Sequence, residues 1–374
     1  MRPLHVAQIN FHAAPAGQNL ADTLARWPSL VDIAESAASA GARVTVIQRA
    51  AHAERLQRGA VDYRFIASSD EGDGGVRAVA EALREQRADV LHAHSLGAAA
   101  KAHALSRVMP GVPILLQDHA DRLPSWWKRP RWRRWYASAR GVAFTAPELA
   151  RPYVSARLFG AAMRLFAIPE STSRFTPGSL AQAWAETGLY GNPCVVWVGH
   201  LQTGKDPLTV LAGFAQAAEA LPQMQLWCAY GHAPLLAQVQ QRMARDPRLK
   251  DRVHLLGRVP HERVQSLMRA ADIFVSGSRA ESCGYALLEA MACGATPVVT
   301  RIPSFLALVG EVGRLWSPGD ANELAQALIA AAASRPSVQT VRDHFERHLS
   351  LEAIGRRWVD AYGQLIRERR GGVS

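Results

Sequence analysis

The sequence predicts an α/β protein of two domains, each built on a doubly wound parallel sheet. Three features lead there. The chain has 374 residues, room for two domains of roughly 150–200 residues. Short apolar runs recur along it and end in Gly, His or polar loops. One stretch also spells a complete strand–helix–strand unit: Ile273-Phe274-Val275-Ser276, a loop to Ser282, a helical run from Cys283 stopped by Gly294, then Thr296-Pro297-Val298-Val299. Such a unit places its loop and helix N-terminus outside the carboxyl edge of a parallel sheet, where these sheets bind ligands.

Taken in order, residues 6–9 read as the first strand and residues 10–18 as its loop. Residues 20–40 carry Leu20, Leu24, Leu30, Ile33 and Ala37 on one helical stripe, interrupted at Trp27-Pro28 and ended by Gly41. Residues 44–47 make the next strand. Residues 89–94 and 113–119 read as strands running out at a ligand edge, and 142–146 as another, with a helix starting at Pro147. The polar, turn-rich residues 166–178 read as the link between domains. A strand at 194–198 runs into Gly199, a short basic loop and a helix from Pro207. Strands at 224–231 and 253–257 end in Gly231 and Gly257. The last helix has Ile354, Trp358, Ala361 and Leu365 at helical spacing.

Composition narrows the class. No apolar run approaches the ~20 residues that span a bilayer, and the first apolar run is too short for a signal peptide. A cytoplasmic protein is the expectation, with the inner face of the membrane as a candidate site of action. Cys194, Cys228, Cys283 and Cys293 have no metal-type spacing and read as core thiols in a reducing compartment. No metal site is expected. The net charge of +11 favours an anionic partner such as a nucleotide sugar, a lipid head group or nucleic acid.

Two carboxylates stand in the strand–helix–strand unit. Glu289 is the only charged side chain between Tyr285 and Cys293. A buried charge without a partner is costly, so Glu289 needs donors from the protein or from a ligand. Both readings, core Glu and site Glu, stay open from the helix alone. Glu281 nearby, with Gly284 letting backbone amides approach a phosphate, tilts the choice toward a site.

Glu281-Ser282-Cys283-Gly284, then Leu288-Glu289-Ala290-Met291-Ala292-Cys293-Gly294 and Pro297-Val298-Val299, resemble the retaining glycosyltransferases of family four. Their hallmark is two Glu separated by seven residues. The resemblance implies the GT-B fold: two Rossmann-like domains facing across a cleft, residues 1–169 on the acceptor side and 170–351 holding the nucleotide sugar, with residues 352–374 crossing back onto the first domain. It implies a hexose moved from a nucleotide diphosphate sugar to a hydroxyl of a glycan or lipid-linked acceptor, without cofactor or metal. Lys205 matches the family Lys that grips the diphosphate. His200 stands where the family has Arg, after Gly199. Backbone amides at Cys283, Gly284 and Tyr285 would meet the diphosphate, Glu281 the sugar hydroxyls and Glu289 the ribose. Gly257, Arg258 and Val259 match the place of the base site. Gly17 is the nearest candidate for the glycine loop after the first strand. His119, within Asp118-His119-Ala120-Asp121, falls where the family has a His beside the reacting sugar; a His capped by local backbone is the other reading.

The replacement of Arg by His200 keeps a second class in view, a non-catalytic nucleotide-sugar or glycan-binding protein on the same scaffold. A GT-B epimerase would not be expected to carry the 281–294 stretch. One segment stands apart: Trp126-Trp127-Lys128-Arg129-Pro130-Arg131-Trp132-Arg133-Arg134-Trp135-Tyr136. It fits a helix packing its Trp on the sheet with Arg stems snorkelling, a membrane-surface patch or, least favoured, a nucleic-acid surface.

Overall fold

The computed structural model describes residues 2–15, 17–67 and 75–371, the side chains of 368–371 excepted. The chain divides into two units, Met1–Ser171 with Leu351–Ser374, and Thr172–Ser350. The last three residues of the expected 352–374 segment lie outside the described residues.

The first unit runs β1 (His5–Asn10), α1 (Leu20–Arg26), α2 (Pro28–Ser39), β2 (Arg43–Ala50), β3 (Glu54–Arg58), β4 (Val61–Ala67), α3 (Val76–Arg84), β5 (Val90–His94), α4 (Ala99–Val108), β6 (Ile114–Gln117), α5 (Arg129–Tyr136), β7 (Gly141–Phe144), α6 (Pro147–Ser155) and β8 (Arg164–Ala167). The sheet order is β3-β4-β2-β1-β5-β6-β7-β8, parallel except for the β3–β4 hairpin. From β1 the chain winds outward to β2 and β4, then returns to β5 on the other side. The winding therefore reverses between β1 and β5, and the crevice at that point opens at the carboxyl ends of both strands. The break expected in the first long helix falls at Trp27, between α1 and α2. Phe166 and Ala167, assigned above to the linker, instead form the end of β8. The β7 ladder supplies hydrogen bonds to this edge strand that the polar sequence did not announce.

The second unit runs α7 (Leu180–Thr187), β9 (Cys194–Gly199), α8 (Pro207–Ala220), β10 (Gln225–Tyr230), α9 (Leu236–Arg245), β11 (Val253–Gly257), α10 (His261–Ala270), β12 (Ile273–Ser276), α11 (Tyr285–Cys293), β13 (Thr296–Thr300), α12 (Pro303–Val309), β14 (Arg314–Trp316), α13 (Ala321–Ala333) and α14 (Val338–His348). Its all-parallel sheet has the order β11-β10-β9-β12-β13-β14. Here the winding reverses between β9 and β12. The central strands of each sheet are buried on both faces by helices, which is why they read as continuous apolar runs; Val195, Val196, Ile273, Phe274, Val298 and Val299 are all buried.

The final helix, α15 (Leu351–Gly371), belongs to the first unit and packs on α2. Ile354, Trp358, Ala361, Tyr362 and Leu365 are buried in the same cluster as Leu30, Ile33, Ala34 and Ala37 of α2. Trp358 is the anchor, fully buried and tilted against the His92 ring at 5.0 Å. All four cysteines are free and buried. Burial pushes Cys194, Cys228 and Cys293 up to about 12, the thiol form of a core residue.

Candidate active site

The loops after β9 and β12 meet where the second sheet reverses. Asp206 caps α8, accepting from the Thr209 amide at 3.4 Å and from Arg279 Nη2 at 2.6 Å. The Arg279 amide donates to the Gly204 carbonyl at 2.9 Å. The two loops are thus laced together, and this lacing carries Lys205 onto Glu281. Lys205 Nζ donates to Glu281 Oε1, and Ser278 Oγ donates to the same oxygen at 2.6 Å. Thr300 Oγ1, at the end of β13, holds the Ser278 carbonyl at 2.5 Å. Both charged side chains stay partly open to solvent, 26% for Lys205 and 16% for Glu281.

Gly284 opens α11. Its φ is +95°, and a Cβ there would stand 2.5 Å from Phe305 Cε1, so both backbone and packing demand glycine. No side chain caps this helix. Cys283 is buried and Tyr285 exposed, so Cys283 can face a ligand through its backbone only. Gly199 ends β9, and His200 follows on the surface with Nδ1 accepting the His232 amide at 3.1 Å. That bond leaves Nε2 to carry the proton outward. Gly257, Arg258 and Val259 leave the edge strand β11, two strand spacings, about 10 Å, from β9. Space around the Gly257 Cα is open.

Glu289 finds a donor within the protein: its carboxylate is bonded by His261 Nε2 at 2.8 Å. His261 opens α10, which packs beside α11. Accepting from that ring, Glu289 raises the His261 pKa, partly opposed by burial. The structure therefore brings Lys205, Glu281 and Ser278 together and gives Glu289 a separate histidine partner. Ser278 and His261 were not singled out in the sequence. Ser278 lies three residues before Glu281, a spacing that brings a hydroxyl back onto a carboxylate in a tight loop. His261 had no sequence signal, because helix packing alone supplies it.

In the first unit, His119 stands just past the carboxyl end of β6. Its Nδ1 is bonded to Glu170, a residue only 2% exposed, and its Nε2 lies 3.0 Å from His94 Nδ1. His92 and His94 stack at 5.1 Å on one face of β5, as their spacing of two requires. His92 Nδ1 lies 2.8 Å from the Tyr362 hydroxyl of α15. Burial, reinforced by His119, lowers His92 to about 3; burial with its two neighbouring histidines puts His94 well below the usual range. Asp121 ties the adjoining turns by accepting from Ser95 Oγ at 2.6 Å and the Leu96 amide at 2.7 Å. Burial raises Asp118 to about 6. The loop after β1 is held by Gln48 Nε2 on the His12 carbonyl at 2.7 Å and Arg49 Nη1 on the Phe11 carbonyl at 3.0 Å. Gly17 lies in that loop with open space around it.

The segment from Trp126 to Tyr136 divides in two. Tyr136 is buried, and Trp132 and Trp135 are half-buried against the same core. Trp126 and Trp127, in a single turn of 3₁₀ helix before α5, are 73% and 63% exposed. Among the described residues, no helix is long and apolar enough to cross a membrane, and no group of three or more His, Cys, Asp or Glu could hold a metal ion.

Two parallel-sheet α/β units, one with a Lys–carboxylate pair at its reversal point, define the class as GT-B. The family described as "Glycosyl transferases group 1" matches residues 192–334, and "Glycosyltransferase Family 4" matches residues 29–156. The chain belongs to the group 1 glycosyltransferase family. It is 25% identical over 237 residues to a GDP-mannose:cellobiosyl-diphosphopolyprenol alpha-mannosyltransferase of Xanthomonas oryzae, 63% of this chain and 61% of that protein. It is 39% identical over 129 residues to a D-inositol 3-phosphate glycosyltransferase of Mycobacteroides abscessus, 33% of this chain and 28% of that one. The matches thus cover less than two thirds of either relative. Anabaena Alr3699/HepE, solved with UDP and glucose, superposes with a TM-score of 0.70 at 18% identity, covering 96% of this chain and all of that one. Sucrose-phosphate synthase from Thermosynechococcus elongatus gives 0.69 at 21%, covering 98% of this chain and all of that chain.

Proposed function

We propose that this protein is a retaining hexosyltransferase that takes its sugar from a nucleotide diphosphate sugar and passes it to a hydroxyl of a glycan or lipid-linked acceptor. One observation carries the reading: Lys205, Glu281 and Ser278 converge at the reversal point of the second sheet, beside the glycine-opened N-terminus of α11. A departing diphosphate needs positive charge and amide donors aimed at its oxygens. Lys205, the outward Nε2–H of His200, and the amides of Cys283, Gly284 and Tyr285 offer them without a metal ion. Glu281 is read as holding sugar hydroxyls, Glu289 the ribose, and Gly257, Arg258 and Val259 the base. The first unit is read as the acceptor side, with His119 beside the sugar and the Gly17 loop nearby.

A panel of nucleotide diphosphate sugars tests this. At least one should raise the melting midpoint and release free nucleotide faster when cell-extract acceptors are added. Binding without release in any combination would leave only a sugar-nucleotide-binding protein.

The exposed Trp pair supports a place for the acceptor at a membrane. Trp126 and Trp127 precede Lys128, Arg129, Arg131, Arg133 and Arg134 with no acid among them. Indole rings bury at the lipid interface, and each nearby cation adds about 1 kcal/mol toward an anionic surface. The wild type should sediment with phosphatidylcholine vesicles containing phosphatidylglycerol, and the Trp126→Ala, Trp127→Ala double variant should bind them at least ~10-fold more weakly. Equal sedimentation of the two chains would remove the membrane contact.

A further inference from the structure

We propose that Glu170 and His94 hold His119 as an imidazolium, so that the β6 edge presents a fixed positive charge instead of a base, with Glu170 as the positioning residue. The inference rests on the reading of His119 as a group beside the transferred sugar.

With the Gln8 amide oxygen turned to His94, the hydrogen-bond chain favours it. An ionised carboxylate only accepts, so the proton between Glu170 and His119 sits on Nδ1. One proton lies between His119 Nε2 and His94 Nδ1. Were it on His94, the bare His94 Nε2 would face Gln8 Oε1 at 3.4 Å, two acceptors against each other. With the proton on His119 Nε2, His94 carries hydrogen on Nε2 and donates it to Gln8. Every contact from Glu170 to Gln8 then pairs one donor with one acceptor.

The surroundings agree. The groups facing the ring are His94, with His92 behind it, from β5; Asp118 and Asp121 from the turn after β6; and Glu170 from the segment after β8. Burial alone would make His119 neutral. The Glu170 hydrogen bond and charge, followed by Asp121 and Asp118, outweigh it and raise the pKa. His92 and His94, buried to the side, stay neutral and do not compete for the proton.

This has a chemical consequence. With both N–H groups committed, His119 has no lone pair with which to take a proton from an acceptor hydroxyl. It offers the site charge, stabilising electron-rich oxygens of the sugar or its leaving group. Glu170 lies in the stretch read above only as the link between domains, so its partnership with a histidine 51 positions away in sequence is visible only in the fold.

Histidine-selective ¹⁵N NMR of the full chain tests the proposal, with His119 assigned by the signal lost in His119→Ala. At pH 7.5 both His119 nitrogens should carry hydrogen in the wild type. In Glu170→Gln the titration should move down by at least about one pH unit, and Glu170→Asp should restore part of the shift. The alkaline limb of nucleotide release should move the same way. A wild-type ring with one bare nitrogen at pH 7.5, or an unchanged titration in Glu170→Gln, overturns the proposal. The wild-type spectrum decides the charge by itself, so a variant that fails to fold leaves the test intact. If the ring is charged through Glu170 yet His119→Ala keeps full turnover, the placement of His119 beside the sugar falls while the charge assignment stands.

Discussion

Lys205→Ala is expected to cut turnover of the preferred nucleotide diphosphate sugar by ~10²–10³-fold, the range for removing one preorganised group from a developing negative charge. Lys205 is bonded to Glu281. A diphosphate carries more charge than one carboxylate, so the ammonium can turn to it while Glu281 keeps its Ser278 hydrogen bond and becomes available to sugar hydroxyls. The loss should appear in turnover and donor affinity, not in folding. The pair is partly solvated, and such ion pairs contribute about 0–1 kcal/mol. Lys205→Arg should retain part of the activity, since it keeps the charge but replaces a compact ammonium by a planar fork. Steady-state rates of nucleotide release, with melting midpoints alongside, check this. Turnover within twofold of wild type in a folded Lys205→Ala chain would remove the assignment of the diphosphate to this loop.

Gly355→Ala should destabilise the first unit by about 2 kcal/mol or more, although alanine is the better helix former by ~1 kcal/mol. The sign is decided by one close approach. A Cβ on Gly355 would stand 2.0 Å from the Ser36 carbonyl oxygen and 2.8 Å from its carbon. Both are backbone of α2 and cannot rotate away. Overpacking of this kind costs typically 1–3 kcal/mol and more where backbone must move, which exceeds the propensity gain. Gly363, two turns along the same helix, is the control. Its nearest neighbour would be the mobile tip of Arg367 at 3.4 Å, so Gly363→Ala should be neutral or stabilising by up to ~1 kcal/mol. Urea denaturation of both variants measures the difference. Equal stability of the two would show that α15 does not seat on α2 at Gly355.

Much of the architecture was legible because parallel strands buried on both faces must be apolar throughout. β1, β9, β12 and β13 stand out in the sequence for that reason. Gly294 closing α11, with φ +89°, was equally plain. The β3–β4 hairpin was missed, since Glu54–Arg58 is an exposed edge strand without a hydrophobic period. So was β8, whose polar start and proximity to the linker hid an edge strand. At the site, Lys205 and Glu281 could be named in advance because the family resemblance falls on loops directly after apolar strands. Ser278 carried only a local signal, its place three residues before Glu281. His261, His94 and Glu170 could not be named, because they owe their places to packing between elements.

By itself, then, the order of residues determined which strands are buried, where helices begin and end, and which charged groups fall at carboxyl edges. These depend on periodicity and local backbone preference, which act over a few residues. Tertiary structure alone decided that Lys205 closes on Glu281, that Glu289 faces His261, and that His119 is clasped by Glu170 and His94. Each of those contacts joins positions 25 to 76 residues apart, and the free energy that selects them comes from sheet order and helix packing, which no short window of sequence contains.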